Sequence, residues 1–468
     1  MKITQFACSI ATVAVTLLAG CAMLHNNELP IQLTKQILTD EFSRDDPQKL
    51  PDEIEDVQRI PQDVRIFANA ITSSISADEQ ARAIQRFHEH YFSPWTATEP
   101  LYSISQTIQG MKDIAKTTWY GENRLKVSPE RIRTILAHAD LDHIPSMNTL
   151  GTSIAPTFMR GLPNLKPLYE TADDFPFDQL QDTEVKPNEP VRILHESDTG
   201  AWLLIETSFG LGWVKSDTVM IADKSLRKRL TTAELLVIVK DFAVIRDNKG
   251  KALPQPKIGT IYPLVREEPD SWLIEVAVAG DGDQVTLKTA HIAKKDARRF
   301  PLPFDAENVV HVGNELLKTP YGWGELFRDR DCSATTRDFF LPFGIWLPRN
   351  SLQQINSGPT VSLADLAKPD KEKLLIQQGV PFRTLVHRKG HIMLYVGLFD
   401  GKPVILHNTW AIRFKTKSGR EEKFYIGRTV LTTLEAGDEL ELSRGTILDH
   451  VDGILRLPAV IPLEAISK

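Results

Sequence analysis

Cys332 is followed downstream by two histidines, His391 and His407, each set on an apolar run. A sulfur nucleophile needs a group that takes its proton, and an imidazole does that best when its other nitrogen is held by a third polar group. Asp331-Cys332-Ser333-Ala334 leads into a run whose apolar face begins just past the cysteine, with Asp331 as N-cap, so Cys332 falls in the first turn of a helix. Partial positive charge at a helix start and a nearby imidazolium both favour thiolate, which predicts a lowered thiol pKa.

The elements that must position the histidines are strands. Gly390-His391-Ile392-Met393-Leu394-Tyr395-Val396-Gly397 is a buried-strand pattern opening on one histidine, and Val404-Ile405-Leu406-His407 ends on the other. A turn at Phe399-Asp400-Gly401-Lys402 would make the two strands antiparallel neighbours and bring both rings to one side. His391 is then the base and His407 its orienting partner. His387 lies in the basic turn with Arg388 and Lys389 and reads as exposed.

The other two of the three cysteines lie near the start. Lys2 followed by the apolar run Phe6 to Leu18 has the form of an export signal, too short to span a bilayer. Cys8 falls within it. Leu18-Ala19-Gly20-Cys21 resembles a bacterial lipobox, which implies an acylated Cys21 anchored in the lipid bilayer, in the cell envelope on the periplasmic side. Ala22 resembles the outer-membrane default. Cys332 is left without an intrachain disulfide partner, so reactivity accounts for it better than a structural bridge.

With 42% hydrophobic residues in 468, the chain can build several cores. A net charge of -6 offers no long-range attraction for nucleic acid. Residues 21–60, rich in acidic residues and interrupted by Pro47 and Pro51, read as a tether. Residues 61–154 read as a helical domain, with Ser76 and Glu79 forming a capping box and Ala83, Phe87 and Tyr91 at helical spacing. From 155 to 224 and from 235 to 298 the texture changes to short strands. In each of these stretches an acidic turn delivers a tryptophan, Trp202 or Trp272, as in a small β-barrel; the segment 161–169 reads as the first strand of the first barrel. His88 and His90 point to different sides of a helix, and His138, Asp140, Asp142 and His143 lack zinc spacing, so neither metal nor cofactor is expected.

Residues 299–468 carry Tyr321-Gly322-Trp323-Gly324, Asp331-Cys332-Ser333, Leu347-Pro348-Arg349-Asn350-Ser351 with Gln354, Gly390-His391 and Leu406-His407-Asn408. In that order these motifs resemble the NlpC-type papain-like cell-wall cysteine peptidases. The resemblance implies a multidomain fold: a helical N-terminal stabilising region, two SH3-like barrels and an α+β papain-like domain. It further implies hydrolysis of the amide between γ-D-glutamate and meso-diaminopimelate in peptidoglycan stem peptides. Cys332 would be nucleophile, His391 base and His407 third member. The Cys332 amide would donate to the oxyanion, Tyr321 would line the site, and Asp331 and Ser333 would hold the glutamate side.

Ala334 stands where the family has glycine, and Asn350 where relatives that recycle free stem peptides have aspartate. An asparagine beside Ser351 offers an L-alanine ammonium no counter-charge, which favours intact wall as substrate. A first-barrel loop acid, Glu170 or Asp173, could supply that charge instead. The alternatives are a peptidase restricted to free stem peptides, an amidase or acyl transferase on the same scaffold, and a non-catalytic wall-binding lipoprotein.

Overall fold

The computed structural model describes residues 51–71 and 75–458. Cys21, Cys8 and the export signal lie outside the described residues. Residues 53–414 with 423–468 form one compact unit, and 1–52 with 415–422 a second. In the described part of the second, a turn is closed by the Gly419 N–H on the Thr416 carbonyl, 2.8 Å.

The longer helices of the N-terminal region are α1 (Ala77–Tyr91), α2 (Ile104–Ile114) and α3 (Pro129–His138), with short helical turns at Glu55–Arg59, Val64–Ala70 and Ser93–Thr96. The expected capping box starts α1, with the Glu79 N–H on Ser76 Oγ at 3.2 Å and the Ser76 N–H on Glu79 Oε2 at 3.0 Å. Ala83, Phe87 and Tyr91 recur at turn spacing and are buried. His90 stacks on Trp346 at 4.2 Å, and His138 pairs with Asp198 at 3.0 Å.

The tether reading of 21–60 does not hold at its end. Ile54 and Ile60 are buried, and Asp56 accepts from the Thr433 N–H and hydroxyl, both 2.7 Å, so residues from 53 onward are docked on the C-terminal domain. Two isolated isoleucines in an acidic run have no periodicity to reveal this.

The first barrel is a seven-stranded sheet in the order β3-β2-β6-β5-β4-β1-β7. Its strands are β1 (Thr149–Ser153), β2 (Thr157–Arg160), β3 (Gln181–Val185), β4 (Pro190–Glu196), β5 (Trp202–Glu206), β6 (Leu211–Lys215) and β7 (Val219–Ile221). The barrel therefore begins at 149, not 155, and residues 161–169 belong to the long loop between β2 and β3. Thr-Leu-Gly-Thr-Ser is too polar to announce a strand, yet it lies between β4 and β7. Gly151 fits there because a Cβ would come 2.6 Å from the Met220 carbonyl. Trp202 and Trp213 share a core with Ile132 and Ile135 of α3.

A connecting helix α4 (Lys224–Thr232) leads to the second barrel, in the order β13-β8-β10-β11-β12-β9. It comprises β8 (Leu235–Ile238), β9 (Ile245–Asp247), β10 (Ile261–Glu267), β11 (Ser271–Ala279), β12 (Val285–Ala293) and β13 (Ala297–Arg299), with Trp272 in its core.

The C-terminal domain is α+β. Helices α5 (Ala306–Leu316), α6 (Cys332–Phe340), α7 (Ser351–Ile355) and α8 (Lys368–Gln378) accompany a sheet in the order β14-β19-β15-β16-β17-β18. Its strands are β14 (Val361–Ser362), β15 (Thr384–Arg388), β16 (His391–Phe399), β17 (Lys402–Lys415), β18 (Glu421–Thr433) and β19 (Val451–Arg456). Phe339 and Phe340 of α6 pack with Ile392, Leu394 and Leu406, which sets the start of α6 beside the start of β16. Asp400 and Gly401, both at positive φ (49° and 78°), turn β16 into β17 as the sequence implied. His387 is buried, contrary to its expected exposure: β15 is an interior strand, and His387 Nδ1 lies 2.6 Å from Asp452 Oδ1.

Candidate active site

Cys332 begins α6, with Asp331 as N-cap: the Asp331 carboxylate accepts from the Ala334 N–H at 2.9 Å. His391 opens β16, and its Nε2 lies 2.9 Å from Nδ1 of His407 on β17. The relay continues: His407 Nε2 is 3.1 Å from the Thr432 hydroxyl, which donates to the Thr433 carbonyl at 2.9 Å.

This chain fixes the tautomers. A hydroxyl has one proton, and Thr432 gives it to a carbonyl, so it accepts from His407 Nε2–H. His407 Nδ1 is then an acceptor and takes the proton of His391 Nε2–H. The lone pair left on His391 is on Nδ1, the nitrogen available to the thiol.

The protonation states differ from the sequence expectation. Burial, followed by the negative charge of Asp331, pushes the Cys332 thiol up to about 11, against the N–H groups of Ile392 and Ser333 and the Arg349 charge, which favour thiolate. Burial, His407 and the Arg388 guanidinium hold His391 well below its usual value. Burial and Arg388 push His407 down to about 3. The resting pair is therefore neutral thiol and neutral imidazole. The helix start does favour thiolate, but desolvation, which no local motif displays, outweighs it.

On its other side Cys332 meets dense charge. Arg349 clamps Asp331 through two nitrogens at 3.0 and 2.7 Å, and also donates to Ser333 Oγ at 2.8 Å and to Thr183 Oγ1 of β3 at 2.8 Å. Glu325 lies beneath, fully buried, with Arg337 at 2.9 Å, Arg349 at 3.4 Å and Lys257 at 3.5 Å. Those cations hold its carboxyl well below the usual range against burial. Asp331 and Ser333 thus already have partners inside the protein, and a substrate group reaching them would share them with Arg349.

The Tyr321-Gly322-Trp323-Gly324 motif docks on the first barrel. Gly324 at φ 57° leaves no room for a Cβ, which would lie 2.4 Å from the Gln181 carbonyl. Gln181 Nε2 donates to the Gly324 carbonyl at 2.7 Å, and Trp323 Nε1 to the Asp178 carbonyl at 3.0 Å. Tyr321, half-buried, has its hydroxyl pushed up by burial and by the negative charge of Asp331, so it remains a proton donor. Its ring meets Phe177 of the barrel loop at 6.5 Å and Trp410 at 5.7 Å, and Phe175 meets Trp410 at 6.3 Å. The loop does reach the site, but through aromatic rings. Glu170 is exposed and Asp173 pairs with Arg124 at 3.6 Å.

Asn350 is exposed and caps α7, accepting from the Gln353 N–H at 2.8 Å, with Ser351 half-buried behind it. Gln354 of α7 is buried and ties the two helices together through the Ser333 carbonyl at 2.9 Å and the Thr336 hydroxyl at 2.6 Å. Three residues escaped the sequence reading: Thr432, Glu325 and Arg388. The pair Thr432-Thr433 ends a strand without any motif, and Glu325 sits beside a motif glycine whose function is steric.

Comparison with known proteins agrees with this architecture. Residues 10–143 match the NLPC_P60 stabilising domain, 166–215 an SH3 domain of the SH3b1 type, and 318–429 the NlpC/P60 family. A gamma-D-glutamyl-L-lysine dipeptidyl-peptidase of Bacillus cereus is 27% identical over 182 residues, covering 37% of this chain. The chain spans 50% of the length of that relative. The structure of an NlpC/P60 endopeptidase from Photobacterium damselae subsp. piscicida superposes with a TM-score of 0.77 at 21% identity, covering 88% of this chain and 99% of that one. At that identity the likeness is one of fold. The chain thus carries an NlpC/P60 domain, of cysteine endopeptidase kind, at its C-terminus, behind an SH3b domain and an NLPC_P60 stabilising domain.

Proposed function

We propose that the protein hydrolyses the amide between γ-D-glutamate and meso-diaminopimelate in peptidoglycan stem peptides, with Cys332 as nucleophile. The observation that carries this reading is the relay from His391 through His407 to Thr432, placed beside a cysteine at a helix start. His391 Nδ1 takes the thiol proton as sulfur attacks the γ-carbonyl. The N–H of Cys332 at the helix start supports the developing oxyanion. Collapse breaks the C–N bond, and the imidazolium returns its proton to the leaving amine. Water, activated by the same imidazole, then hydrolyses the thioester. Tyr321, Asp331, Ser333, Asn350 and Ser351 line the approach.

Intact wall is the favoured form of substrate. Asn350 brings no negative charge, and the barrel loop packs Phe175 and Phe177 against Trp410 and Tyr321. The competing reading, a peptidase for free stem peptides, requires an acid from elsewhere. Cys21 is proposed as the acylated anchor to the envelope, with the outer membrane as default. Labelling with a palmitate analogue should depend on Cys21; unlabelled wild type in the soluble periplasmic fraction would overturn this.

Digestion of muropeptides by the purified protein tests the reaction. The expected result is a new diaminopimelate amine, lost in Cys332→Ala and unaffected by a chelator. Undiminished cleavage by Cys332→Ala would overturn the cysteine mechanism.

A further inference from the structure

Arg388 ends β15 and pairs in register with His391, so its side chain leaves the sheet on the same face as the histidine. It is only half-exposed, and its Nε is buried without a hydrogen-bond partner among the described residues. No carboxylate lies within ion-pair distance of it among the described residues; Asp452, an acid whose charge acts on it, is engaged by His387 at 2.6 Å. Its charge is felt at Cys332, at His391 and at His407. A guanidinium taken partly out of water without an anion is unfavourable to keep, unless an anion arrives with the ligand. The burden is greater here, because the same charge disfavours the imidazolium that catalysis must form.

Chemistry says which end of the substrate Arg388 faces. His391 must protonate the departing amine, so the residue that leaves with that amine lies beside His391, while the acyl residue lies toward Asp331 and Ser333. Resting on the proposed function above, we infer that Arg388 is the receptor for a carboxylate on the amine-side residue, and so selects a diamino acid carrying a side-chain carboxylate over lysine. Diaminopimelate differs from lysine by that group. When it binds, its negative charge offsets the guanidinium and eases protonation of His391, so the benefit extends to the chemical step.

The test compares kcat/KM for L-alanyl-γ-D-glutamyl-meso-diaminopimelate and its L-lysine counterpart, using the mature protein and Arg388→Gln. Wild type should favour the diaminopimelate peptide by about tenfold to a hundredfold, the range of one charge-assisted pair. In Arg388→Gln that ratio should fall toward one. Amidating the side-chain carboxylate of the substrate should bring wild-type turnover down to the lysine level, a measurement that does not depend on the variant folding. Cleavage of both peptides without discrimination, or equal loss on both in Arg388→Gln, would overturn the inference while leaving the reaction intact. Cleavage of neither would overturn the reaction reading and the inference together.

Discussion

The two flanks of Cys332 are built on opposite electrostatic plans. Toward β16 and β17 lies a chain of neutral groups, two imidazoles and a hydroxyl, whose charged forms burial suppresses. Toward α7 and the first barrel lies a network of ion pairs, in which Asp331, Arg349, Glu325, Arg337 and Lys257 answer one another. Moving a proton requires groups that are neutral at rest and can take or give one during the reaction, a freedom that a field of fixed charges would restrict. Holding a loop, a helix start and a barrel in register requires the reverse, fixed charges joined by directed hydrogen bonds.

Breaking the neutral flank should abolish catalysis and spare the fold. His391→Ala is expected to lower kcat by about a thousandfold or more with little change in Tm, as measured by muropeptide turnover and thermal unfolding. Breaking the charged flank should do the converse first. Arg349→Leu takes from Asp331 its buried ion-pair partner while Glu325 keeps Arg337 and Lys257, and a loss of about 3–5 kcal/mol in denaturant unfolding is expected. Arg349→Lys keeps the charge but not the two-point clamp and should fall between. If Arg349→Leu unfolds like wild type, the network does not hold the site together.

The neutral resting pair has its own signature. Because the Cys332 thiol is raised to about 11, its thiolate fraction should climb with pH throughout the working range. Alkylation by iodoacetamide should therefore rise about tenfold per unit between roughly pH 6 and 9. A rate that is flat there would indicate a thiolate–imidazolium pair and a lowered thiol. The smallest effect is expected at Thr432. Thr432→Val removes the acceptor for His407 Nε2–H and should lower kcat about threefold to tenfold while displacing its acid limb. Thr432→Ser should restore both.

Much of this was legible because it is local. A cap residue before a cysteine, two histidines on apolar strands and a tight Asp-Gly turn are all contained in windows of a few residues, and α6, β16 and β17 follow from them. What stayed hidden depends on distance along the chain. Arg349 meets Thr183 across 166 positions, and His407 meets Thr432 through strand pairing that no spacing encodes. β1 was missed because its burial comes from neighbours, not from its own residues. The thiol's pKa was misjudged for the same reason: a helix start can be read in sequence, whereas desolvation is the sum of everything packed around it. His387 and Arg388 look like a basic turn until β19 covers one side of β15.

The most direct test is to trap the acyl-enzyme. A single turnover of a γ-D-glutamyl-diaminopimelyl peptide, quenched in acid and analysed by mass spectrometry, should show the γ-D-glutamyl fragment attached to the peptide containing Cys332, and the adduct should fail to form on the same timescale when His391 is replaced and the thiol keeps its proton. Product formed at the wild-type rate by Cys332→Ala, with no adduct on Cys332 in the wild type, would contradict the account.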